Sequence, residues 1–432
     1  MNPLEYDLDL AVIGGGAAGL AAAVAAAREL PRGAKTALFD AQPRCGRKLL
    51  ATGNGRCNLT NRFAEPSAYH TDDPRAVSRV FSGVNVDDTL AFFASLGLVW
   101  REEEEGRIYP LCGQASAVLD LLRLELSRLE VAEVCGFRVT YVREGKGGYE
   151  LQTASGTVRA KCVIAACGGM AAPNLGGVSW GYELLRPLGH TATKLYPSLA
   201  PIPVDSPHLS SLKGIRAPAR AALWGGKGEI VADAGEVQFS DRALSGIVIF
   251  QLSSAAAERY GTEQLFVALD MLPSHSEKEI VALLTKRRGL LPHLTLENYL
   301  TGIFNKRVGM CLLKEAGMSP LSRSVSALSD GDIRKIAAVV KCWRFPVGGT
   351  ALWNQAQVTS GGIRMAEWDG ITMQSRRHAG FFAAGEMLNV DGKCGGFNLQ
   401  WAWSSGILAG RSATRCLAGH DAFRAALDDE QY

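Results

Sequence analysis

The sequence predicts an α/β fold built around a parallel sheet, and three observations carry that expectation. Asp7 to Ile13 reads as a short buried strand. Gly14-Gly15-Gly16-Ala17-Ala18-Gly19 follows it and opens an Ala-rich helix running to about Leu30. KTALFD then reads as a second strand that ends on an acid, Asp40. Strand, GxGxxG, helix, strand and acid, in that order, is the arrangement a dinucleotide site requires.

Each glycine of the loop has its own task. Gly14 makes the tight turn, Gly16 lets the backbone approach a pyrophosphate, and Gly19 lets helix and strand pack closely. The helix N-terminus presents free N–H groups and the positive end of its dipole to the anion. Asp40 is placed to accept hydrogen bonds from an adenosine ribose. The small residues Ala21, Ala22, Ala23, Ala25 and Ala26 let the helix lie close against the sheet.

Composition narrows the class. At 432 residues the chain is long enough for two or three domains. Lys plus Arg against Asp plus Glu is 46 against 43, a balance that does not suit a mainly electrostatic binder of nucleic acid or anionic lipid. Leu10 to Ala27 carries no charge, yet its lead-in is acidic and most of it is Ala and Gly, so neither a signal peptide nor a membrane span is expected. The sequence points to a cytoplasmic protein with no membrane and no nucleic-acid partner. Ten cysteines are scattered without a CxxC pair or zinc spacing, and seven histidines are dispersed, so no metal site is expected. Cys162 to Cys167 reads as a strand.

Two later stretches are dense in functional residue types. In Gly46 to Asn61, Arg47 and Lys48 can bind phosphate, Asn54, Arg56 and Asn58 can hydrogen-bond a polar ring edge, and Gly53 and Gly55 permit turns. In Gly380 to Gly406, Phe381 to Ala384 reads as a strand and Gly385-Glu386 as a turn carrying a carboxylate. Gly395-Gly396 there is the entry to a helix from about Phe397 to Gly410. Thr193 to Glu229 is rich in Pro, Gly and short β-like runs, whereas Ser276 to Asp332 has helical periodicity interrupted at Gly289 to Pro292. Glu102 to Glu105 reads as a solvated acidic loop.

These segments also carry a resemblance. VIGGGAAGL, GRKLLATGNGRCNLTN, EGRIYP (Glu105 to Pro110), AACGG (Ala165 to Gly169), PSLAPI (Pro197 to Ile202), LSGIVIFQLS (Leu244 to Ser253), TSGGI (Thr359 to Ile363) and the AGE…DG…GGFNLQWAWSSG ending resemble one family. It is the group of bacterial FAD-dependent oxidoreductases that includes aminoacetone oxidase and a flavoprotein linked to bile-acid dehydroxylation. The match keeps its order over nearly the whole chain.

The resemblance implies a glutathione-reductase-type Rossmann FAD-binding domain from residues 1–193 and 352–432. It also implies an inserted β-rich domain from 194–270 and 333–351, and a small helical domain at 271–332. Carried over residue by residue, it places Gly14, Gly16, Ala17, Ala18 and Gly19 at the pyrophosphate and Asp40 at the ribose. Arg47 and Lys48 match the segment after the second strand, and Asn54, Gly55, Arg56, Cys57 and Asn58 match the loop beside the cofactor. Gly168 falls in the AACGG segment, where Cys167 replaces a hydroxyl residue. Gly385 and Glu386 stand where relatives have the acid that meets the ribitol or pyrophosphate. Gly396, Phe397 and Asn398 open the last helix, whose N–H groups would face the flavin N1/C2=O end. Cys394 departs from the residue expected before the paired glycines and reads as a small filler. Trp401 and Trp403 are expected to pack that helix into the core.

Three functional readings follow. The first is an FAD-dependent oxidoreductase of a small organic substrate, either oxidising an amine with O2 or reducing a C=C or C=N bond with NAD(P)H as donor. The second is a flavin-dependent RNA-modifying enzyme, for which only Lys286-Arg287-Arg288 and Arg376-Arg377-His378 supply basic character; these read as solvated surface. The third is a non-catalytic flavin-binding redox sensor, relying on Cys45, Cys57 or Cys394. No residue is singled out as a catalytic base.

Overall fold

In a computed structural model, which describes residues 7–429, strand β1 (Asp7–Ile13) sits at the centre of a seven-stranded sheet. Helix α1 (Ala17–Glu29) follows directly, and strand β2 (Thr36–Asp40) pairs parallel to β1. The strand Ala132–Cys135 extends the sheet beyond β2. On the other side of β1 lies Gly156–Ala165, whose last residues pair with Phe381–Ala383 and whose first residues pair with the hairpin strand Gly148–Thr153. The parallel part is therefore doubly wound around β1, and its carboxyl ends all point to one edge. Cys162 to Cys167 is strand only as far as Ala165; Cys167 already belongs to the loop.

The chain divides into two compact units, one reaching to Tyr196 and resuming at Val358, the other Pro197–Gln357. In the first unit the last helix, Phe397–Asp429, continues well past Gly410, where the sequence places its end. Its Gly406 and Gly410 come so close to α1 that a Cβ on them would lie 2.4 Å from the carbonyl oxygen of Ala18 and 2.3 Å from that of Ala22. The alanines of α1 therefore serve two close approaches, to the sheet and to this helix. Residues Ala18 to Ala26 are all buried as a result. Among the described residues no helix is long and apolar enough to cross a membrane.

The second unit holds a six-stranded antiparallel sheet whose centre is the long hairpin Arg216–Gly225 and Gly228–Phe239. Helices Glu277–Leu290, Lys306–Glu315 and Asp330–Lys341 follow from the periodic stretch, and Ser276 and Ser329 close capping boxes with Glu279 and Asp332. Leu284, Leu312 and Ile336 of these helices share one apolar core with Phe239, Trp343 and Phe345 of the sheet. The helical stretch is thus not a separate hydrophobic body.

A buried polar cluster in the first unit gives a pH dependence. His190 Nδ1 lies 2.7 Å from Glu367 Oε2, its Nε2 lies 3.0 Å from Ser375 Oγ, and its ring stacks on Trp368 at 4.3 Å. Ser375 Oγ also accepts the backbone N–H groups of Arg377 and His378, so its own proton is directed to His190. Burial holds the imidazole below its ordinary value. Burial pushes Glu367 the other way, but hydrogen bonds from Thr191 and His190 outweigh it and hold the carboxyl low. A histidine that stays neutral in the fold binds fewer protons than in the unfolded chain, so stability is lost as pH falls through about 6.5. Glu367 adds a second loss below its own ordinary range. Tm is expected to fall between pH 7 and 5; a profile equally steep in His190→Gln would refute this assignment.

Candidate functional site

The carboxyl edge of the parallel sheet carries a cleft lined by Gly14, Gly16, Asp40, Arg47, Lys48, Gly168 and Glu386. A larger cavity of about 300 Å³ lies at the opposite end of β1, beside Asp9, Glu150 and Lys161. In open α/β sheets ligands bind at the carboxyl ends, so the cleft is the candidate site.

The loop glycines differ in what surrounds them. Gly14 has φ +107°, and a Cβ there would lie 2.2 Å from the carbonyl oxygen of Ala166. A Cβ on Gly19 would lie 1.8 Å from the Gly14 carbonyl oxygen, whereas one on Gly16 would meet no protein atom within 4 Å. Gly14 and Gly19 are thus required by the fold. Gly16 is required by nothing in the protein, and its open space at the start of α1 is where a phosphate fits.

The polar residues at the cleft are braced by one another. Asp40 Oδ2 accepts the Gly15 N–H at 2.8 Å and Oδ1 accepts the Gln42 N–H at 2.7 Å. Burial raises the Asp40 carboxyl, and those two amides together with Arg47 oppose the rise. A carboxylate offers about four acceptor positions, so two remain for a ribose. Arg47 bonds the Gln42 side chain and the Asn174 carbonyl. Lys48 Nζ lies 2.6 Å from Glu386 Oε2, and Glu386 Oε1 accepts the Thr359 N–H at 2.9 Å.

A second group gathers around the turn Thr52–Gly55 and the start of the last helix. Arg56 bonds Glu103 and stacks over the Tyr109 ring at 4.0 Å. Glu103 therefore is not a merely solvated acid, and its neighbours Glu102 and Glu105 also pair, with Arg62 and Arg107. Asn54 and Cys57 adopt φ of +56° and +58°, so the turn is tightly folded on both sides of Arg56. A Cβ on Gly55 would meet nothing closer than 4.0 Å, so this glycine is held by its φ of +82° alone. Asn58 Oδ1 is buried with no hydrogen-bond partner in the described protein. It lies beside Gly396, where a Cβ would come within 2.9 Å of it and 2.5 Å of the Thr60 carbonyl oxygen. An unpaired buried acceptor is costly unless a donor arrives, and a flavin ring supplies N–H donors. The residues present therefore fit FAD.

Other expected residues serve the frame. Asn398 bonds the Gly392 N–H and the carbonyls of Gly392 and Lys393, closing the loop before the last helix. Phe397 is buried, and its carbonyl accepts the Tyr69 hydroxyl at 2.8 Å. Ala17 and Ala18 form the first turn of α1, with Ala18 against Gly385, where a Cβ would lie 2.7 Å from the Ala18 methyl. Trp401 Nε1 donates to the Gly385 carbonyl and Trp403 Nε1 to that of Leu59, so the two indoles pin both groups to the last helix. Gln400 is fully buried and bonds Thr60, Thr89 and Ser404. Their signal was the QWAWSS spacing, which places them on successive faces of one helix. Thr359 was visible only as part of TSGGI, yet its hydroxyl accepts the N–H groups of Met170 and Ala171.

Replacing Glu386 with Ala removes the Lys48 partner and the acceptor for Thr359. A charged hydrogen bond is worth about 1.5–3 kcal/mol, so FAD affinity is expected to fall about tenfold or more. Unchanged affinity by fluorescence titration would take Glu386 out of the cofactor set.

Sheet order, phosphate loop and a cleft at the strands' carboxyl ends define a Rossmann-type dinucleotide-binding fold, and the relatives below make the protein an FAD-dependent oxidoreductase. The chain belongs to the HI0933-like protein Rossmann domain family, whose model matches residues 8–412. It is 36% identical over 407 residues to the 3-dehydro-bile acid delta(4,6)-reductase of Clostridium scindens, covering 94% of this chain and 98% of the relative. It is 29% identical over 401 residues to the ribosomal RNA dihydrouridine synthase of Escherichia coli, covering 92% and 96%. Among solved structures, the 3-ketosteroid delta1-dehydrogenase of Sterolibacterium denitrificans matches at TM-score 0.51 and 12% identity, covering 95% of this chain and 99% of that one, a likeness of fold alone.

Proposed function

We propose that this protein reduces a carbon–carbon double bond conjugated to a carbonyl in a small, largely apolar acceptor of the steroid type, with NAD(P)H as the electron source. The observation that carries the reading is the full-length likeness to a delta(4,6)-reductase. The names of both relatives describe saturation of a C=C bond next to a carbonyl, which favours this direction over amine oxidation. The overall reaction consumes one NAD(P)H and one proton and saturates one bond.

Bound FAD supplies the hydride transfer. The chain orients it. Gly16 and the first N–H groups of α1 would receive the pyrophosphate, Asp40 the ribose, and Lys48 with Glu386 the linking segment. Asn58 would accept from the ring, and the N-terminus of the last helix would favour negative charge there.

A second reading, reduction of uridine in ribosomal RNA, rests on the Escherichia coli relative. Against it, the basic runs are short and several of their members are tied to the protein itself. Arg287 bonds the carbonyls of Tyr299 and Thr301, Arg288 bonds that of Leu328 and the Asp330 carboxylate, and Arg376 bonds that of Trp368. Arg287 and Arg288 are half-buried structural ties, whereas Lys286, Arg376 and Arg377 are exposed, as the sequence suggests. The sensor reading loses its reactive thiols: burial pushes Cys57 up to about 12 and raises Cys394 as well.

The deciding experiment is anaerobic reduction of the flavin by NADH or NADPH, followed by addition of a 3-oxo-4-ene steroid. Bleaching and then recovery of colour on steroid addition is the expected result. Recovery with unmodified ribosomal RNA alone would transfer the reading to RNA, and bleaching by a primary amine without nicotinamide would make it an amine oxidase.

A further inference from the structure

Folding brings together three potential metal ligands that lie far apart in the chain. Cys135 ends the strand Ala132–Cys135, in register with Asp40 of β2. Glu133 is two residues earlier, so its side chain emerges on the same face. Cys45 comes from the loop after β2 and lies under the phosphate loop, with its Sγ 2.3 Å from where a Cβ on Gly15 would be. The two sulfurs are 3.6 Å apart, and both lie within 4.8 Å of a Glu133 oxygen. Among the described residues, ligand atoms of three such side chains converge in this one place.

We propose that Cys45, Glu133 and Cys135 bind one thiophilic divalent cation, Zn2+ being the best fit. Two thiolates at about 2.3 Å from a tetrahedral zinc stand about 3.8 Å apart, close to the separation found. Soft sulfur ligands select zinc over magnesium or calcium. Arg123 donates from Nε to both Glu133 oxygens, at 3.1 and 2.9 Å, which orients the carboxylate as outer-shell partners of metal ligands do. Charge also balances: two thiolates and one carboxylate against Zn2+ and the Arg123 guanidinium sum to zero, with the Asp40 carboxylate beyond them tied to backbone amides.

A cation displaces both thiol protons to solvent on binding and leaves the sulfurs as ligands. The site is thereby a fastener between the strand end and the loop beneath Gly15. It does not depend on which substrate the flavin serves.

The test uses the full-length, FAD-loaded protein, stripped with EDTA under a phosphine reductant and titrated with Zn2+. Metal content is read by mass spectrometry of the dialysed protein, and Cd2+ replaces Zn2+ to give the ultraviolet thiolate charge-transfer band. One Zn2+ per chain and a cadmium band are expected, with affinity at least about tenfold lower in Cys135→Ser and Glu133→Gln and flavin content unchanged. Cys135 is only part-buried, so its serine variant tests the site even if Cys45→Ser fails to fold. Absence of stoichiometric zinc, or equal uptake by wild type and Cys135→Ser, overturns the proposal. Closure of a Cys45–Cys135 disulfide by hydroperoxide, with loss of two hydrogens and release of water, in a protein that takes up no zinc would also overturn it, in favour of a thiol–disulfide pair.

Discussion

Gly16→Val is expected to yield a folded protein without colour. The open space around Gly16 means that a side chain there meets no protein atom within 4 Å, and its φ of −81° suits any residue, so Tm of the apoprotein should hardly move. The same side chain fills the approach of the pyrophosphate to the amides at the start of α1. Losing two charge-assisted hydrogen bonds at about 1.5–3 kcal/mol each weakens FAD binding by roughly a hundredfold or more. Gly14→Val and Gly19→Val make the contrast, because their Cβ atoms would collide with the carbonyl oxygens of Ala166 and Gly14 and the fold itself should suffer. The pair of readouts is flavin content after gel filtration and Tm by calorimetry. A yellow Gly16→Val protein with wild-type affinity would remove the cradle from this loop.

Trp403→Ala is expected to be the most destabilising single truncation in the first unit. Its indole is fully buried, stands edge-on to Phe93 at 4.9 Å, and donates to the Leu59 carbonyl. Burying nothing in its place costs about 3–5 kcal/mol. At roughly 2–4 °C per kcal/mol for a chain of this size, Tm should fall by roughly 10 °C. Because Leu59 follows the Arg56–Asn58 loop, flavin retention should drop as well. Trp403→Phe keeps the ring contact but leaves the carbonyl unpaired, so a loss of flavin with only a small change in Tm is its expected signature. Equal effects of the two variants on both readouts would show that the hydrogen bond does nothing for the loop.

The parts of the molecule that announce themselves in sequence are those with local periodicity or a backbone requirement. β1, the phosphate loop, α1 and β2 form within 34 residues, and their glycines are needed by contacts between near neighbours in the chain, so the pattern contains its own explanation. The second group was legible as composition only. That Arg56 lies on Tyr109 and ties Glu103, or that Trp403 reaches Leu59, depends on pairings across 47 and 344 positions, which no local rule encodes. Asn398 shows the reverse difficulty: an amide at a helix start near a ligand loop looks like a binding group, and its residue type does not reveal the hydrogen bonds it makes within six residues. The end of the last helix was misplaced because Gly410 reads as a stop, whereas the contact it permits with Ala22 is why glycine stands there.

The packing of the last helix on α1 also sets the timetable of biogenesis. About 370 residues separate the end of α1 from the start of its partner, so at about 5–20 residues per second the ribosome takes roughly 20–70 s to supply it. Throughout that interval the face of α1 that meets the last helix stands uncovered, and by its close the chain already contains the whole of Pro197–Gln357. The nucleotide-binding unit is therefore completed only once the helix that starts at Phe397 has been made. Premature termination anywhere before Phe397 leaves a product with an exposed apolar helix for chaperones and proteases to find.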